Sequence, residues 1–418
     1  MSQPTRISAE TTAHLFLQNI SNGELDTATA QMTQEMVEHL PADTLRELWA
    51  GLLQKSGNLV GCETTNVREN SGGFSVRLSC EFRRYGRDFS LFVDRHRKID
   101  SFYIKPAYKA PGYADPKSFT EVEVTVGSGK FALPGTLSIP NGKGSFPAIV
   151  LVHGSGNNDR DETVGQNKPF KDLAWGLASK GVAVLRYEKR SRAHPEKYAS
   201  LKAPTIEDET INDALLAVEV LINNEHIDNN RIFVLGHSLG ARFTPAIGMK
   251  DPRIAGLVAM GGRSTMSFAE LLPYQERYLS ELDGKLTKSE RADIKWIDGE
   301  AAKLKKLKEG DYPPDHRIMG FPVSYLLSLR KLSPTVTVPK MTQPILILHG
   351  KRDYQVPLKN FKGWKKILAG RKNTKFVLYD KLNHLFLEGK GKRTPDEYDK
   401  PSNIPEYVIS DIAVWIKS

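Results

Sequence analysis

The sequence predicts an α/β fold, in which a mostly parallel sheet is covered by helices on both faces and is preceded by a small α+β domain. Two observations lead to this prediction. From about residue 119 onwards, wholly apolar segments such as PAIVLVHG and PILILHG alternate with segments of helical periodicity. Strands that are buried on both faces have such continuous apolar runs. Residues 1–105 instead place helices before alternating strands, an order that is typical of α+β domains.

Residues 1–105 form the predicted α+β domain. Two segments near its start have the apolar spacing of helices, with Leu15, Phe16 and Ile20 on one face of the first. Three or four strands follow, because apolar and polar residues alternate in segments that the turn-forming stretches ENSGG and RYGRD separate. The predicted strands have the sequences NLVGCETTNVRE, GFSVRLSCEF, DFSLFVDRH and IDSFYIKP.

The only two cysteines of the chain, Cys62 and Cys80, lie on neighbouring strands of this predicted domain. Their spacing fits no metal site, and two cysteines are too few for a disulfide framework. The sequence leaves open a single bridge between them, but we expect two ordinary buried thiols.

Residues 106–118 form a predicted linker, because three prolines favour an extended and semi-rigid segment. Residues 119–418 form the second domain, which begins with a hairpin, continues with alternating strands and helices, and closes with a helix. Residues 264–337 interrupt this alternation with mostly helical, charged sequence, which we interpret as a cap. The predicted strands are TEVEVTV, FALPGTLSIP, PAIVLVHGSG, VAVLRYEKR, RIFVLGHS, IAGLVAMGG, PILILHGKRD and KFVLYDKLNH, and the predicted helices are FKDLAWGLASKG, TINDALLAVEVLINN and PEYVISDIAVWIKS.

The net charge of +10, from 59 basic and 49 acidic residues, raises the question of a nucleic-acid partner. The basic residues are scattered, and the densest run, KLKKLKEG, lies in a helical region that mixes lysine with glutamate. We interpret that run as the solvated face of a helix. The sequence has no zinc-finger or helix-turn-helix pattern and no basic stripe with interleaved aromatic residues, so we expect no nucleic-acid partner.

The sequence also lacks membrane and export signals. No segment approaches the ~20 apolar residues of a membrane-spanning helix. The first ten residues, MSQPTRISAE, have no apolar signal core. We therefore expect a cytoplasmic protein, although the mature form of a secreted protein would begin in the same way. The sequence leaves the oligomeric state open, a homo-oligomer included.

The segment RIFVLGHSLGAR contains the best candidate for a catalytic residue. An apolar strand runs directly into Gly236-His237-Ser238-Leu239-Gly240, and a helical segment follows. A strand, then G-x-S-x-G, then a helix is the pattern of a nucleophile elbow, in which a strained turn exposes the serine hydroxyl. Gly236 and Gly240 stand where a side chain would collide with that turn. We therefore predict that Ser238 is a nucleophile.

A nucleophilic serine needs a general base and an acidic residue that orients the base. In this architecture the acid and then the histidine follow the serine in the chain. Of the three later histidines, His316 lies in the cap and His349 lies in an apolar strand, whereas His384 follows the last strand. Asp353 lies on the loop after an apolar strand, whereas Asp380 is only four residues before the histidine, a poor geometry. We therefore predict Asp353 as the acid and His384 as the base.

Backbone N–H groups are expected to stabilise the oxyanion of such a reaction. We predict the N–H of Leu239, which follows the nucleophile, and that of Ser155 in the loop after IVLVHG. In the predicted cap, Phe321 and Tyr325 belong to an apolar segment that lines an acyl pocket or forms the cap's own core. The acidic segment DRDE at 159–162 is expected to form ion pairs with the basic EKRSR at 188–192 rather than to bind a metal.

Several segments together resemble a bacterial family of serine carboxylesterases of the α/β-hydrolase superfamily. They are HGSGNNDRDETVGQNKPFKDLAWGLASKGVAVLRYEKR, GHSLGA, RDYQVP and LNHLF. The resemblance implies an α/β-hydrolase fold, an accessory N-terminal domain similar to the nuclear-transport-factor-2 cone, and hydrolysis of acyl esters without a cofactor. The family's nucleophile, acid and base fall on Ser238, Asp353 and His384. Relatives include dienelactone hydrolases, S9/S33-type peptidases and acyltransferases, so the substrate is not fixed.

The sequence therefore predicts a two-domain serine carboxylesterase that acts on short- to medium-chain acyl esters of small molecules. Two alternatives stay open. One is a peptidase, amidase or acyltransferase that uses the same triad. The other is a ligand-binding protein whose N-terminal domain recognises the ligand. The natural substrate and the role of the N-terminal domain are not determined by the sequence.

Overall fold

The structure is a computed structural model that describes residues 5–418, except for the side chain of Pro106. The chain divides into two compact units, and the second unit comprises Ala110–Ser418. This division falls inside the predicted linker. The remainder of that segment belongs to the second unit, where the Tyr113 hydroxyl donates a hydrogen bond to the carbonyl oxygen of Ile404 at 2.6 Å. No helix in residues 5–418 has the length and apolar character that a membrane crossing requires.

Over residues 5–109, the first unit is an α+β domain with four helices and a four-stranded antiparallel sheet of order β1-β2-β3-β4. Alternating residues of β2 and β3 are buried, because one face of the sheet packs against the helices. The elements are α1 (Arg6–Asn22), α2 (Leu25–Ala30), α3 (Gln34–His39), α4 (Ala42–Ser56), β1 (Leu59–Asn70), β2 (Gly73–Phe82), β3 (Arg87–Asp94) and β4 (Ile99–Pro106).

The expectation of two free thiols is wrong, because Cys62 and Cys80 form a disulfide. The two residues lie directly opposite each other on β1 and β2, with their Cα atoms 4.0 Å apart. Such direct cross-strand neighbours are close enough for a bridge. The register of β1 shifts twice along the pair, and alternation alone does not fix which residues face each other.

The second unit contains an eight-stranded sheet of order β14-β13-β10-β9-β7-β8-β6-β5. Its first six strands are parallel, whereas β6 and β5 pair antiparallel at one edge. The strands are β5 (Phe119–Val126), β6 (Leu133–Pro140), β7 (Phe146–Val152), β8 (Ala183–Tyr187), β9 (Ile227–His237), β10 (Ile254–Met260), β13 (Ile345–Gly350) and β14 (Thr374–Tyr379). Two further short strands, β11 (Arg317–Ile318) and β12 (Phe321–Pro322), form a separate hairpin.

Helices cover both faces of this sheet. The strand β7 illustrates the consequence, because Val150 belongs to the core on one face, and Ile149 and Leu151 belong to the core on the other. The continuous apolar runs of the sequence thus correspond to strands that are buried on both sides. The helices are α5 (Pro169–Ser179), α6 (Arg190–Ala193), α7 (Pro195–Ala199), α8 (Asn212–Ile222), α9 (Leu239–Lys250), α10 (Phe268–Ser280), α11 (Lys288–Lys306), α12 (Val323–Lys331), α13 (Pro334–Thr337), α14 (Lys359–Ile367) and α15 (Glu406–Lys417).

The predicted helical insertion lies between β10 and β13. It contains α10 to α13 and the β11–β12 hairpin. The predicted fold class is confirmed: the second unit has a mostly parallel sheet with helices on both faces, and a small α+β unit precedes it.

Candidate active site

Ser238 lies on a strained turn at the end of β9. The strand ends at His237 and α9 begins at Leu239, so this serine alone connects the two elements. Its backbone has φ 53° and ψ −109°, which residues with a side chain rarely adopt. The Ser238 N–H donates to the carbonyl oxygen of Met260 on the neighbouring strand β10 at 2.9 Å. This is the geometry of a nucleophile elbow.

Close backbone contacts explain the two glycines beside this serine. A Cβ atom on Gly236 would lie 2.3 Å from the carbonyl carbon of Gly240. A Cβ atom on Gly240 would lie 2.3 Å from the carbonyl oxygen of Val152 on β7. Because both neighbours are backbone atoms of packed elements, a side chain at either position would push the turn away from the sheet.

Three predicted residues from distant parts of the chain form one hydrogen-bonded series. The Nε2 atom of His384 lies 3.0 Å from the Oγ atom of Ser238. The Nδ1 atom of the same imidazole lies 2.7 Å from Oδ2 of Asp353. The other carboxylate oxygen, Oδ1, accepts a hydrogen bond from the Val356 N–H at 2.7 Å. The order serine, imidazole and carboxylate is the arrangement of a catalytic triad.

The parallel sheet brings these residues together. Asp353 follows the end of β13, and His384 follows the end of β14, its neighbour in the sheet. The carboxyl ends of parallel strands meet at one edge of a sheet, where α/β proteins place their sites. Asn383 fixes the histidine loop, because its Oδ1 atom accepts hydrogen bonds from the N–H groups of Leu385 and Leu387 at 3.1 Å each.

The other two histidines after Ser238 lie outside the hydrogen-bonded series. His316 stacks on Tyr312, with the ring centroids 4.4 Å apart. His349 is buried in β13, where its Nε2 atom lies 3.0 Å from the carbonyl oxygen of Val356. Burial lowers the pKa of His349, which favours the neutral imidazole in that position.

The environment of Asp353 favours its charged form. Burial alone would raise the pKa of this carboxyl group, but the charge and hydrogen bond of His384 act in the opposite direction. Together with the Val356 N–H they lower the pKa of Asp353 below its usual range. An ionised carboxylate accepts a hydrogen bond from the imidazole Nδ1–H and holds the tautomer that leaves Nε2 free to accept a proton.

Sequence reasoning missed a second buried pair, which consists of Glu162 and His237. The Nδ1 atom of His237 lies 2.8 Å from Oε2 of Glu162. The other carboxylate oxygen, Oε1, accepts a hydrogen bond from the Gly154 N–H at 2.6 Å. The Nε2 atom of His237 lies 2.9 Å from the carbonyl oxygen of His384. The pair therefore connects the loop after β7 with the loop that carries the candidate base.

Both members of this pair favour their charged forms. Burial would lower the pKa of His237, but the charge and hydrogen bond of Glu162 outweigh it and raise that pKa. Burial would raise the pKa of Glu162, but the charge and hydrogen bond of His237, with further contributions from His153 and the Gly154 N–H, lower it. Charged His237 therefore forms an ion pair with Glu162, while its Nε2–H donates to the backbone carbonyl oxygen of His384.

The acidic segment at 159–162 therefore forms only part of the expected cluster. Arg160 pairs with Glu188 at 3.1 Å, within the basic segment named above. Asp161 instead pairs with Arg186 on β8 and with Lys168. The unusual backbone of Glu162, with φ 51°, turns its side chain away from this group. A sequence pattern of alternating charges does not reveal that turn.

The two predicted oxyanion donors lie on either side of Ser238. Leu239 is the first residue of α9, so its N–H has no acceptor within the helix. Ser155 follows β7, and its N–H donates no hydrogen bond to any group of residues 5–418. A Cβ atom on the adjacent Gly154 would lie 3.1 Å from Cβ of Ser238, so this loop passes directly beside the serine. Buried Lys189 holds the loop, since its Nζ atom donates to the Gly154 carbonyl oxygen at 2.8 Å.

A cavity of about 390 Å³ opens above these groups. Ser238, His384, Ser155 and Leu239 line it, and Phe321 contributes part of its apolar wall. Tyr325 does not line this cavity and belongs to the buried core, which is the second of the two alternatives that the sequence left open. It lines a neighbouring cavity of about 270 Å³. Its hydroxyl donates to Oε2 of Glu209 at 2.6 Å, which fixes the position of the ring.

The chain has recognisable relatives among known proteins. Residues 137–368 match the BD-FAE family, and residues 13–102 match a protein of unknown function, DUF3887. Over 417 residues the chain is 37% identical to Esterase EstD of Thermotoga maritima, which covers 97% of this chain and 94% of that protein. Over 202 residues it is 25% identical to 2,6-dihydropseudooxynicotine hydrolase of Paenarthrobacter nicotinovorans, covering 47% of this chain and 50% of that one. Among solved structures, an acylaminoacyl peptidase of Pyrococcus horikoshii superposes with a TM-score of 0.48 at 18% identity, covering 85% of this chain and 56% of that one.

The fold and the relatives define an α/β-hydrolase, and specifically an esterase. The chain belongs to the BD-FAE family and is a homologue of Esterase EstD. The predicted esterase class is thereby confirmed. The predicted similarity of the first unit to the nuclear-transport-factor-2 cone stays a prediction.

Proposed function

We propose that Ser238, His384 and Asp353 are the catalytic triad of an esterase that hydrolyses short- to medium-chain acyl esters. One observation carries this proposal: the unbroken hydrogen-bonded series from the carboxylate through the imidazole to the serine hydroxyl, with distances of 2.7 and 3.0 Å. The sequence identity of 37% to Esterase EstD, over 97% of this chain, supports the proposed esterase activity.

In the first half of the proposed reaction, Oγ of Ser238 attacks the ester carbonyl carbon, and its proton passes to Nε2 of His384. The carbonyl π electrons move to the oxygen, which becomes an oxyanion. When the tetrahedral intermediate collapses, the bond to the leaving oxygen breaks. His384 then gives its proton to that oxygen, so the alcohol departs and an acyl-serine remains. Asp353 stabilises the imidazolium in both steps.

In the second half, a water molecule takes the place of the alcohol. The oxygen of this water attacks the acyl carbon while His384 accepts a proton from the water. The second tetrahedral intermediate releases Oγ of Ser238, which recovers the proton from the imidazolium. The products are a carboxylic acid and the free enzyme, so no cofactor is needed to balance the reaction.

The N–H groups of Leu239 and Ser155 are the proposed donors to both oxyanions. Each belongs to the backbone of a rigid segment beside the nucleophile, and fixed donors need no reorganisation as charge develops. Loss of one such donor typically lowers kcat by about 10²–10³-fold. Because side-chain substitution leaves these donors in place, they are less accessible to mutation than the triad.

The size of the cavity supports small acyl groups. A volume of about 390 Å³ lies at the small end of ordinary ligand pockets, which span roughly 300–1,000 Å³. Leu271, Leu272 and Phe321 of the helical insertion supply apolar surface for an alkyl chain. We therefore expect activity to fall once the acyl chain exceeds medium length.

The proposal is tested with a series of p-nitrophenyl esters from acetate to palmitate and one p-nitroanilide. Wild type is compared with Ser238→Ala and with the control Ser280→Ala. Ser280 is a buried serine that lies at the end of α10, outside the lining of the cavity. We expect turnover of the shorter esters by wild type and control, and no turnover above background by Ser238→Ala with an unchanged circular dichroism spectrum.

Two results would overturn the proposal. Cleavage of the anilide alone would assign the site to amide bonds. Ester turnover that survives in Ser238→Ala would place the nucleophile elsewhere.

A further inference from the structure

Two arginines of the second unit are buried without a counter-ion. Arg242 and Arg263 are 5% and 3% exposed, and no carboxylate of residues 5–418 forms an ion pair with either of them. The equally buried Arg186 shows the usual arrangement, because it pairs with Asp161 and Glu121. Charged side chains are almost never fully buried unless they are paired. These two arginines therefore need another explanation.

Their hydrogen bonds leave donors unused. Nη1 of Arg242 donates to the carbonyl oxygen of Ser264 at 2.8 Å, and Nη1 of Arg263 donates to that of Met266 at 3.0 Å. Nε of Arg242 and Nη2 of Arg263 are buried, and neither has an acceptor in the described part of the chain. Burial lowers the pKa of Arg242 to about 10. Burial, together with the neighbouring charge of Arg242, lowers that of Arg263 further. A bound anion would relieve both the unused donors and the repulsion.

The two arginines line a cavity of about 290 Å³ whose polar groups suit an anion. Every charged residue in its lining is basic, since Lys305 and Arg330 are the other two. Its remaining polar lining consists of hydroxyl residues, of which Ser264 and Ser267 already donate to the Asn360 carbonyl oxygen and to Glu270. These hydroxyl residues are Ser264, Thr265, Ser267, Ser333 and Thr335.

This cavity, the arginine cavity, adjoins the candidate active site. Arg263 and Phe268 line both the arginine cavity and the cavity above Ser238. Arg242 lies one helical turn after the serine, and its N–H donates to the Ser238 carbonyl oxygen at 3.2 Å. The two cavities therefore adjoin each other at Arg263 and Phe268, and Arg242 follows the candidate nucleophile by one turn of α9.

We propose that the arginine cavity binds the carboxylate of an acidic substrate, so that the enzyme acts preferentially on esters whose acyl group ends in a second carboxylate. The inference rests on the proposed esterase function. The planar guanidinium donates two parallel hydrogen bonds to a carboxylate, which gives direction as well as charge. A carboxylate in this cavity would place the ester carbonyl of the same molecule at Ser238.

The first experiment compares matched substrates. Mono-p-nitrophenyl esters of succinic, glutaric, adipic and suberic acids are each compared with the neutral p-nitrophenyl ester of equal chain length. For wild type we expect kcat/KM to be at least about tenfold higher for one or more acidic esters, because hydrogen bonds between a guanidinium and a carboxylate are stronger than those between neutral groups. In Arg242→Gln we expect this ratio to fall to about one.

The matched control is Arg371→Gln. Arg371 also donates to two backbone carbonyls, of Met341 and Gln343, and also has an unpaired buried Nε. It lines neither cavity, so the acidic-to-neutral ratio should keep its wild-type value. Inhibition of neutral-ester turnover in wild type by glutarate, compared with glutaramide, needs no variant. If Arg242→Gln fails to fold, stronger inhibition by glutarate than by glutaramide supports the inference, and equal inhibition by the two compounds contradicts it.

Calorimetric titration of Ser238→Ala with glutarate and with inorganic phosphate shows whether the cavity binds the carboxylate of a substrate or a free anion. Glutarate binding that Arg242→Gln removes supports the inference, even if no ester is turned over and the proposed function fails. Binding of inorganic phosphate without any preference for acidic esters would overturn the inference, because the cavity would then hold a free anion. Equal rates for acidic and neutral esters, without glutarate binding, would also overturn it.

Discussion

Asp353 illustrates how a single residue depends on its surroundings. The same carboxylate on an exposed turn would be an ordinary surface charge. Here it is buried, accepts a hydrogen bond from the Val356 N–H, and contacts Nδ1 of His384. The backbone donor and the imidazole lower its pKa against the effect of burial. Because it stays ionised, it orients the imidazole toward Ser238.

Replacing Asp353 with asparagine should therefore remove activity without removing the fold. The amide is nearly isosteric but favours the wrong tautomer of His384, so we expect kcat to fall by about 10⁴-fold with little change in KM. The measurement is steady-state hydrolysis of p-nitrophenyl butyrate. Asp380→Asn is the control, because this exposed aspartate near His384 in the chain pairs only with Lys351 and should retain wild-type kcat. Equal losses in the two variants would contradict the assignment of the acid.

The Glu162–His237 pair positions the backbone of Gly154 and of His384, which lie on two loops of the candidate site. Glu162→Gln should lower the free energy of unfolding by about 3 kcal/mol, because removing one charge of a buried pair leaves the other uncompensated. Urea unfolding at neutral pH measures this loss. Glu188→Gln, which breaks the more exposed pair with Arg160, should cost less than about 1 kcal/mol. As Glu162 is a positioning residue, we also expect the pH profile of kcat to shift in Glu162→Gln, which a purely structural role would not cause.

The difference in unfolding free energy between wild type and Glu162→Gln should decrease both at low pH and at high pH. The pKa of Glu162 is lowered from 4.5, so its stabilisation is present above that value and is lost as pH falls through the lowered pKa. The pKa of His237 is raised from 6.5, so its stabilisation is complete below that value and is lost as pH rises through the raised pKa. Unfolding curves across the pH range should therefore show the largest difference between these two ordinary pKa values. A flat difference would mean that the pair is not charged.

At the scale of elements, the strained backbone of the candidate site lies at the junction of β9 and α9. Ser238 has a positive φ, and the two flanking glycines allow backbone from α9 and β7 to approach within contact distance. The strand, the turn and the helix must therefore be positioned together. The neighbouring strand β10 supports them through the hydrogen bond from the Ser238 N–H to Met260.

Gly240→Ala should disturb this junction. Its Cβ would lie 2.3 Å from the Val152 carbonyl oxygen, so we expect a loss of about 1–3 kcal/mol in unfolding free energy and at least a tenfold loss of kcat. Gly299→Ala is the control, because Gly299 lies inside α11 with open space around it. That substitution should instead stabilise the protein by about 0.4–1 kcal/mol with unchanged kcat. Thermal unfolding and ester hydrolysis measure both variants.

At the scale of the whole molecule, each of the two units has its own core and its own means of stabilisation. The second unit buries a large sheet on both faces, whereas the first has a single layer of helices on a four-stranded sheet. The disulfide joins the first two strands of that smaller sheet. Disulfides persist mainly in oxidising compartments, and the cytoplasmic location stays a prediction.

Removing the disulfide should destabilise the first unit. Cys62 and Cys80 are 18 residues apart, and closing a loop of that size is worth about 3 kcal/mol in the chain-entropy description. The Cys62→Ser, Cys80→Ser double variant should therefore show an earlier unfolding transition that is confined to this unit. Intact mass after alkylation tests the bond itself. We expect no modified cysteine without reductant and two with it, and modification without reductant would contradict the bridge.

The sequence by itself determined the fold class and the esterase class. Continuous apolar strands require helices on both faces, and this pattern holds wherever the strands finally pair. The elbow is local in sequence, so Gly236, Ser238 and Gly240 could be recognised from their spacing. The chain order of Asp353 and His384 after two apolar strands was enough to predict their roles, which the Asp353→Asn variant will test.

Only the tertiary structure decided which distant side chains meet. Periodicity carries no information on register, so the disulfide could not be inferred from alternation alone. Glu162 has a positive φ, although it is not a glycine, so the sequence gives no sign of the turn at this position. The carboxylate of Glu162 pairs with His237 rather than with the neighbouring basic residues. The choice between pocket and core for Tyr325 also needed the structure, since a hydrogen bond to distant Glu209 fixes its ring. Nor does any local pattern reveal that no carboxylate of residues 5–418 pairs with Arg242 or Arg263, because that depends on every element packed around them.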